Sequence, residues 1–159
     1  MYRLISLLCL MASAYASTPD LVEKWTQYRI TEMFELASSC EDEGLSQYFT
    51  ESAWDDYLNA IEDSHLIDLA DEQYTISVDR FIKPIRITQA TQNTYFAQTT
   101  FLLRFSNHKS TWAQPVELIL TIKDNGNALR ISEFEGITGE ATDIKNFRLD
   151  HMKDCNLNQ

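Results

Sequence analysis

The sequence predicts an α+β domain, with N-terminal helices packed in the concave face of a bent antiparallel four-stranded sheet. Three observations lead there. Apolar residues recur at helical spacing, about 3.6 residues, as far as Ile61, and alternate with a period of 2 from Tyr74 onward. No composition shift or Pro/Gly-rich linker accompanies that switch, so it reads as a change of layer inside one domain. Asp124-Asn125-Gly126-Asn127 then carries the strongest short-range hairpin signal in the chain, which makes the strands on either side antiparallel neighbours.

The first helix is expected from about Pro19 to Ser38. Thr18 is placed to cap it, Pro19 fits the first helical position because its missing N–H costs nothing there, and Asp20 complements the dipole. Leu21, Val22, Trp25, Tyr28, Met33 and Leu36 form one broad apolar stripe, widened by Ile30, Phe34 and Ala37. A polar and acidic loop, Ser38 to Gly44, ends it, and one helical turn is expected within Leu45 to Phe49. The second helix has the clearest start in the chain: Thr50 caps it, Glu51 sits at the positive end of its dipole, and Tyr48 and Phe49 lead in as an aromatic staple. Trp54, Tyr57, Leu58 and Ile61 share one face, while Asp55, Asp56, Asn59, Glu62 and Asp63 take the solvated one. Ser64 to Ala70 reads as a short third helix or an irregular connection.

Four strands follow. Tyr74, Ile76 and Val78 alternate, and a second alternation at Ile85 and Ile87 is separated from them by Pro84, which cannot donate to a ladder and implies an edge position, a bulge or a bend. After a turn at Thr91 to Thr94, the second strand places Tyr95, Ala97, Thr99, Phe101, Leu103 and Phe105 on one face. The third points Trp112, Val116, Leu118, Leu120 and Ile122 one way and Glu117, Thr121 and Lys123 the other. Leu129 to Phe134 pairs back as the fourth.

Outside this domain, residues 1–16 read as a cleavable signal peptide. Arg3 is a minimal positive region, Leu4 to Ala12 is an apolar run, and Ala14-Tyr15-Ala16 is the small-x-small pattern a signal peptidase needs before Ser17. The run is shorter than the ~20 residues that span a bilayer, and Leu8 stands where a lipoprotein signal would have a small residue before Cys9. The mature chain would hold 143 residues, with the domain over 17–138 and a tail over 139–159 anchored by Ile144, Phe147 and Leu149. It would carry 12 basic and 24 acidic residues, a formal charge of −12. Such a charge excludes counterion release from nucleic acid and direct attraction to anionic membranes as sources of affinity. In an oxidising exported environment the two remaining cysteines, Cys40 and Cys155, favour a disulfide that ties the tail to the end of the first helix; two free thiols are the alternative.

Enzyme signatures are sparse. The chain has no phosphate-binding glycine loop, nucleophile elbow, C-x-x-C or H-E-x-x-H, and no motif calls for a cofactor. His65, His108 and His151 lack metal-ligand spacing, and Asp124 to Asn127 has its glycine at the wrong place for a calcium loop. One catalytic alternative comes from architecture alone: a sheet-and-helix cone can hold a ketosteroid-isomerase-like pocket or a small molecule, with Tyr28, Tyr57 and Asp79 as the candidate groups.

Tyr48-Phe49-Thr50, Trp54, Tyr57 and Asn59-Ala60-Ile61 resemble the Y-F-T-x-x-x-W-x-x-[YF]-x-x-A-[LI] segment of the IcmL/DotI proteins of Dot/Icm-type (type IVB) secretion and related conjugation systems. The order that follows is similar too: I-T-Q-A at Ile87 to Ala90, Ala97 to Phe101, Gln114-Pro115-Val116 to Ile122, and I-S-E-F at Ile131 to Phe134. The resemblance implies a periplasmic domain of nuclear-transport-factor-like fold, similar to VirB-type assembly proteins, that works as a non-enzymatic scaffold. Apparatus members carry a cytoplasmic segment and a membrane-spanning helix before this domain, whereas this chain has a short signal. The expectation is therefore a soluble, exported paralogue, periplasmic or secreted, whose partners are secretion components or a second copy of itself. The outward acids Asp55, Asp56 and Glu62 and the sheet face at Arg104 and Glu117 are the candidate contact surface.

Overall fold

The computed structural model describes residues 17–39, 44–63 and 74–135. The signal segment, the acidic loop at 41–43, the expected third helix, the C-terminal tail, His65, His151 and both cysteines of the expected disulfide lie outside the described residues. Two helices, α1 (Pro19–Ser39) and α2 (Glu51–Asp63), precede four strands, β1 (Thr75–Thr91), β2 (Thr94–Ser106), β3 (Thr111–Asp124) and β4 (Leu129–Glu135). The strands form one antiparallel sheet in chain order, and a 3₁₀ turn at Ser46–Tyr48 leads into α2. The expected α+β fold, helices first and meander second, is the one observed.

Thr18 caps α1 as expected, its carbonyl taking the Val22 N–H at 3.0 Å and its hydroxyl the Leu21 N–H at 3.4 Å. The buried stripe of α1 is rotated from the expected one. Val22, Thr26, Arg29, Ile30, Met33 and Phe34 are buried, while Leu21 and Tyr28 are 54% and 58% exposed. A threonine can occupy such a stripe because its hydroxyl donates to the Val22 carbonyl one turn back, at 2.7 Å, and so stays paired when buried.

β2 is one of the two interior strands of the sheet. Its six inward residues, Tyr95 to Phe105 by twos, are all buried as the alternation requires, and Phe34 of α1 meets Phe101 with ring centroids 5.0 Å apart. β1 is an edge strand whose seventeen residues face thirteen of β2, with register shifts at Val78/Arg80, Phe81/Lys83, Lys83/Arg86 and Gln89/Thr91. Each shift is a bulge that moves the inward parity, so Ile76 and Val78 and later Ile85 and Ile87 turn the same way across Pro84. Thr99 donates its hydroxyl to the Lys83 carbonyl at 2.8 Å, which supplies a partner to a carbonyl beside one of these bulges. Bulges bend a strand and spoil its free edge as a template for another chain.

Candidate functional site

The residues that carry the family resemblance converge at the start of α2. Thr50 closes the helix, its carbonyl accepting from Trp54 N at 2.9 Å and its hydroxyl from Ala53 N at 3.4 Å. Its own N–H donates to the Ile131 carbonyl at 2.8 Å, its hydroxyl lies 3.4 Å from the Ser132 carbonyl, and Phe49 forms a parallel bridge with Ile131. The Y-F-T segment is thus laced to the I-S-E-F segment of β4. A register shift opposite Thr121/Ile122 lets both Ile131 and Phe134 point inward. Phe49 and Trp54 form the staple expected for this helix, with centroids 5.2 Å apart, and Tyr57 packs on Phe49, Trp54 and Phe134. The buried Tyr57 hydroxyl donates to the Met33 carbonyl at 2.5 Å, fastening α2 to α1. These motif residues are structural: they build the junction of two helices with the sheet.

A cluster on α1 was not foreseen in the sequence. Arg29 is 9% exposed and its guanidinium carbon lies 3.8 Å from the Tyr48 ring centre, 4.5 Å from that of Tyr28 and 6.0 Å from that of Trp25, with Nη1 2.5 Å from Glu32. The aromatic faces and one carboxylate stand in for part of the water this cation has lost, while its buried Nε has no hydrogen-bond partner among the described residues. An arginine flanked by apolar residues at i−4 and i+1 gave no periodic signal; only the nearby Trp25, Tyr28 and Tyr48 hinted at a partner.

Beside this cluster lies a cleft of about 430 Å³ between α1, the 3₁₀ turn and the β3–β4 hairpin, walled by Leu21, Trp25, Tyr48 and Leu129 with Arg130 at its rim. At its floor Asp124, 6% exposed, takes the Ser17 N–H on Oδ2 at 2.7 Å and the Gly126 N–H on Oδ1 at 2.8 Å. The fully buried Tyr95 donates its hydroxyl to the Ser17 carbonyl at 2.5 Å. Burial pushes the Asp124 carboxyl up, but hydrogen bonds from the Ser17 and Gly126 backbone and from the Ser17 side chain outweigh it and hold the carboxyl below its ordinary value. The Tyr95 hydroxyl is pushed above its ordinary value by burial and by the Asp124 charge. Gly126 has φ 83°, a conformation open to glycine, which lets its N–H turn back to Asp124.

The expected contact residues do not form one surface. Asp55 and Asp56 are exposed on α2; the side chain of Glu62 lies outside the described residues. Arg104 and Glu117 stand on the opposite, outer face of the sheet: Arg104 is ion-paired with Asp79 and Glu117 accepts from Gln98 Nε2 at 3.0 Å. Glu117 also borders a smaller cleft of about 240 Å³ with Lys83 and Arg86. The three groups of the isomerase-like alternative are likewise apart. Tyr28 is exposed on α1, Tyr57 is sealed against Met33, and Asp79 is an extra residue of a β1 bulge held by Arg104. His108 is exposed in the β2–β3 loop. Among the described residues no group of three or more His, Cys, Asp or Glu is placed to hold a metal, and no helix is long and apolar enough to cross a membrane.

No family model matches the sequence, and no curated protein matches it. A solved structure does match: an IcmL-like type IV secretion system protein from Legionella pneumophila, with a TM-score of 0.68, 13% sequence identity, and coverage of 84% of this chain and 99% of that one. At that identity the likeness speaks to the fold. The chain therefore has the α+β fold of an IcmL-like type IV secretion system protein, the family its motifs resemble.

Proposed function

We propose that this protein is an exported, non-enzymatic interaction module related to the type IVB secretion and conjugation apparatus, acting in the periplasm after removal of residues 1–16. The observation that carries this reading is the shared fold, in which the motif residues are spent on packing rather than chemistry. The tail over 139–159 is held to the end of α1 by a Cys40–Cys155 disulfide in this reading. Such a bridge closes a loop of 115 residues, for which chain entropy allows up to ~5 kcal/mol.

For the contact surface, the geometry favours the outer stripe of α1 over the acids of α2. Leu21, Trp25 and Tyr28 fall at i, i+4 and i+7 beside the cleft, and Leu21 and Tyr28 are large apolar side chains left more than half exposed. A protein partner from the same apparatus is the occupant this ridge fits; the acids Asp55 and Asp56 would then steer rather than anchor. Affinity recovery from the native envelope tests the assignment. The Leu21→Ser/Tyr28→Ser double variant should lose co-purifying secretion components about tenfold with its thermal midpoint kept, whereas Asp55→Lys/Asp56→Lys should lose little. Equal recovery with the α1 variant would remove this surface from the proposal. The ligand-binding alternative rests on the same cleft, and would be favoured by a small molecule retained through purification and displaced by Trp25→Ala.

A further inference from the structure

Asp124 is a carboxylate withdrawn from water at the end of β3, and burying such a charge is costly without a cation or a full set of donors. Among the described residues no lysine, arginine or histidine pairs with it; the donors that reach it are the Gly126 N–H in its own hairpin and the N–H and side chain of Ser17, 107 residues away. Ser17 is gripped on both sides, since Tyr95 from β2 holds its carbonyl. Neither partner of Ser17 belongs to α1, so this grip fixes where the chain enters the domain rather than how the helix starts.

Ser17 is also the residue that follows the small-x-small site Ala14-Tyr15-Ala16. We propose that Asp124 and Tyr95 form a receptor for the mature N-terminus, in which hydrolysis of the Ala16–Ser17 peptide bond turns the amide on Asp124 into an α-ammonium and completes a buried ion pair. Water adds across the bond, the Ala16 carboxyl leaves with the leader, and Ser17 keeps the new amine, which is protonated at neutral pH. One N–H donor is thereby replaced by a cation with three, at the atom that already sits 2.7 Å from Oδ2. The precursor offers Asp124 the amide and side chain of Ser17 but no positive charge. Processing is then a step in folding: it pins the start of α1 to the β3–β4 hairpin and shapes the wall of the cleft that Ser17 and Asp124 share.

The charged and titratable groups around the new amine are Asp124 from β3, Tyr95 from β2, Arg130 from β4 at the cleft rim and Asp20 in the first turn of α1. The positive end of the α1 dipole and Arg130 oppose an ammonium there, while Asp124 at contact distance and Asp20 favour it. The contact with Asp124 dominates, so the folded amine should titrate above the ordinary ~7.7–8.0 of an α-amino group. By linkage its contribution to stability is complete below about pH 8 and is lost as pH rises through the folded value.

This inference rests on the exported reading only for the position of the cut, and two measurements separate the two. Intact mass of the protein recovered from its own envelope should give a chain beginning at Ser17; a different start or an uncut chain would overturn both. On the mature chain, NMR titration of the Ser17 amine should give a pKa about one unit or more above ordinary, returning towards it in Asp124→Asn. α-Acetylation, or retention of Ala16, should lower the thermal midpoint by about 3 °C in the wild type and by much less in Asp124→Asn. An amine titrating at its ordinary value in the folded wild type overturns the receptor while leaving the cut intact, and this holds even where Asp124→Asn fails to fold.

Discussion

Tyr57 shows how a side chain with catalytic chemistry can be committed to architecture. Its ring packs on three others and its hydroxyl ends on a helix carbonyl, so Tyr57→Phe should cost about 1 kcal/mol in urea unfolding. Tyr57→Ala, which also empties the ring's space, should cost about 3–5 kcal/mol. Arg29 is the converse case, a polar residue doing core packing. Arg29→Lys keeps the charge but loses the planar group that lies against Tyr48, and should destabilise by about 1 kcal/mol with little dependence on salt. The Tyr57 side was legible in the sequence because Trp54, Tyr57 and Ile61 repeat at helical spacing. Arg29 and Thr26 were not, because periodicity counts apolar residues, and these two reach burial through polar contacts, Thr26 with a carbonyl one turn back in its own helix and Arg29 with rings that include Tyr48 of another segment.

At the scale of elements, α2 and β4 form one unit although Glu51 and Leu129, which begin them, are 78 residues apart. Thr50 serves both, its hydroxyl capping α2 and reaching the Ser132 carbonyl while its N–H bonds Ile131, so Thr50→Ala, which keeps only the backbone bond, should cost about 1–2 kcal/mol, the range of a lost cap. Hydrogen exchange should quicken at Ala53 and Trp54 in that variant before it does in β2. The cap, the staple and the alternation of β2 could be read locally, since each is a pattern within a few residues. The bulges of β1 could be read only at Pro84, because the other register shifts depend on how β2 sits beside the strand, which no local pattern encodes. The outward placement of Leu21 and Tyr28 escaped for the same reason: an apolar stripe says that a helix is buried, and its neighbours decide how it is turned.

For the whole molecule, long-range ties to a single acid set the expected response to pH. The Asp124 carboxyl lies below its ordinary 3.8 in the folded chain, so the unfolded chain binds its proton first as pH falls. Its contribution is complete above that ordinary value and is lost as pH drops through the folded one. Wild type and Asp124→Asn should therefore converge in stability at strongly acidic pH, separate as pH rises towards that ordinary value, and keep a full difference above about pH 4, as read from urea midpoints. The tie itself had no trace in the sequence, where Asp124 reads as a turn residue and Ser17 as the first residue after a leader. The same fold carries an exposed ridge on α1 and an IcmL-like likeness, and the reading as a secretion-apparatus interaction module turns on what that ridge meets. The most direct measurement is photo-crosslinking in the native envelope from a probe at position 28, with one at position 55 as control, followed by mass spectrometry of the adducts. Adducts with type IV secretion components are expected from position 28 and few from position 55; a protein abundant in the envelope that yields no such adduct from either position would rule out this reading.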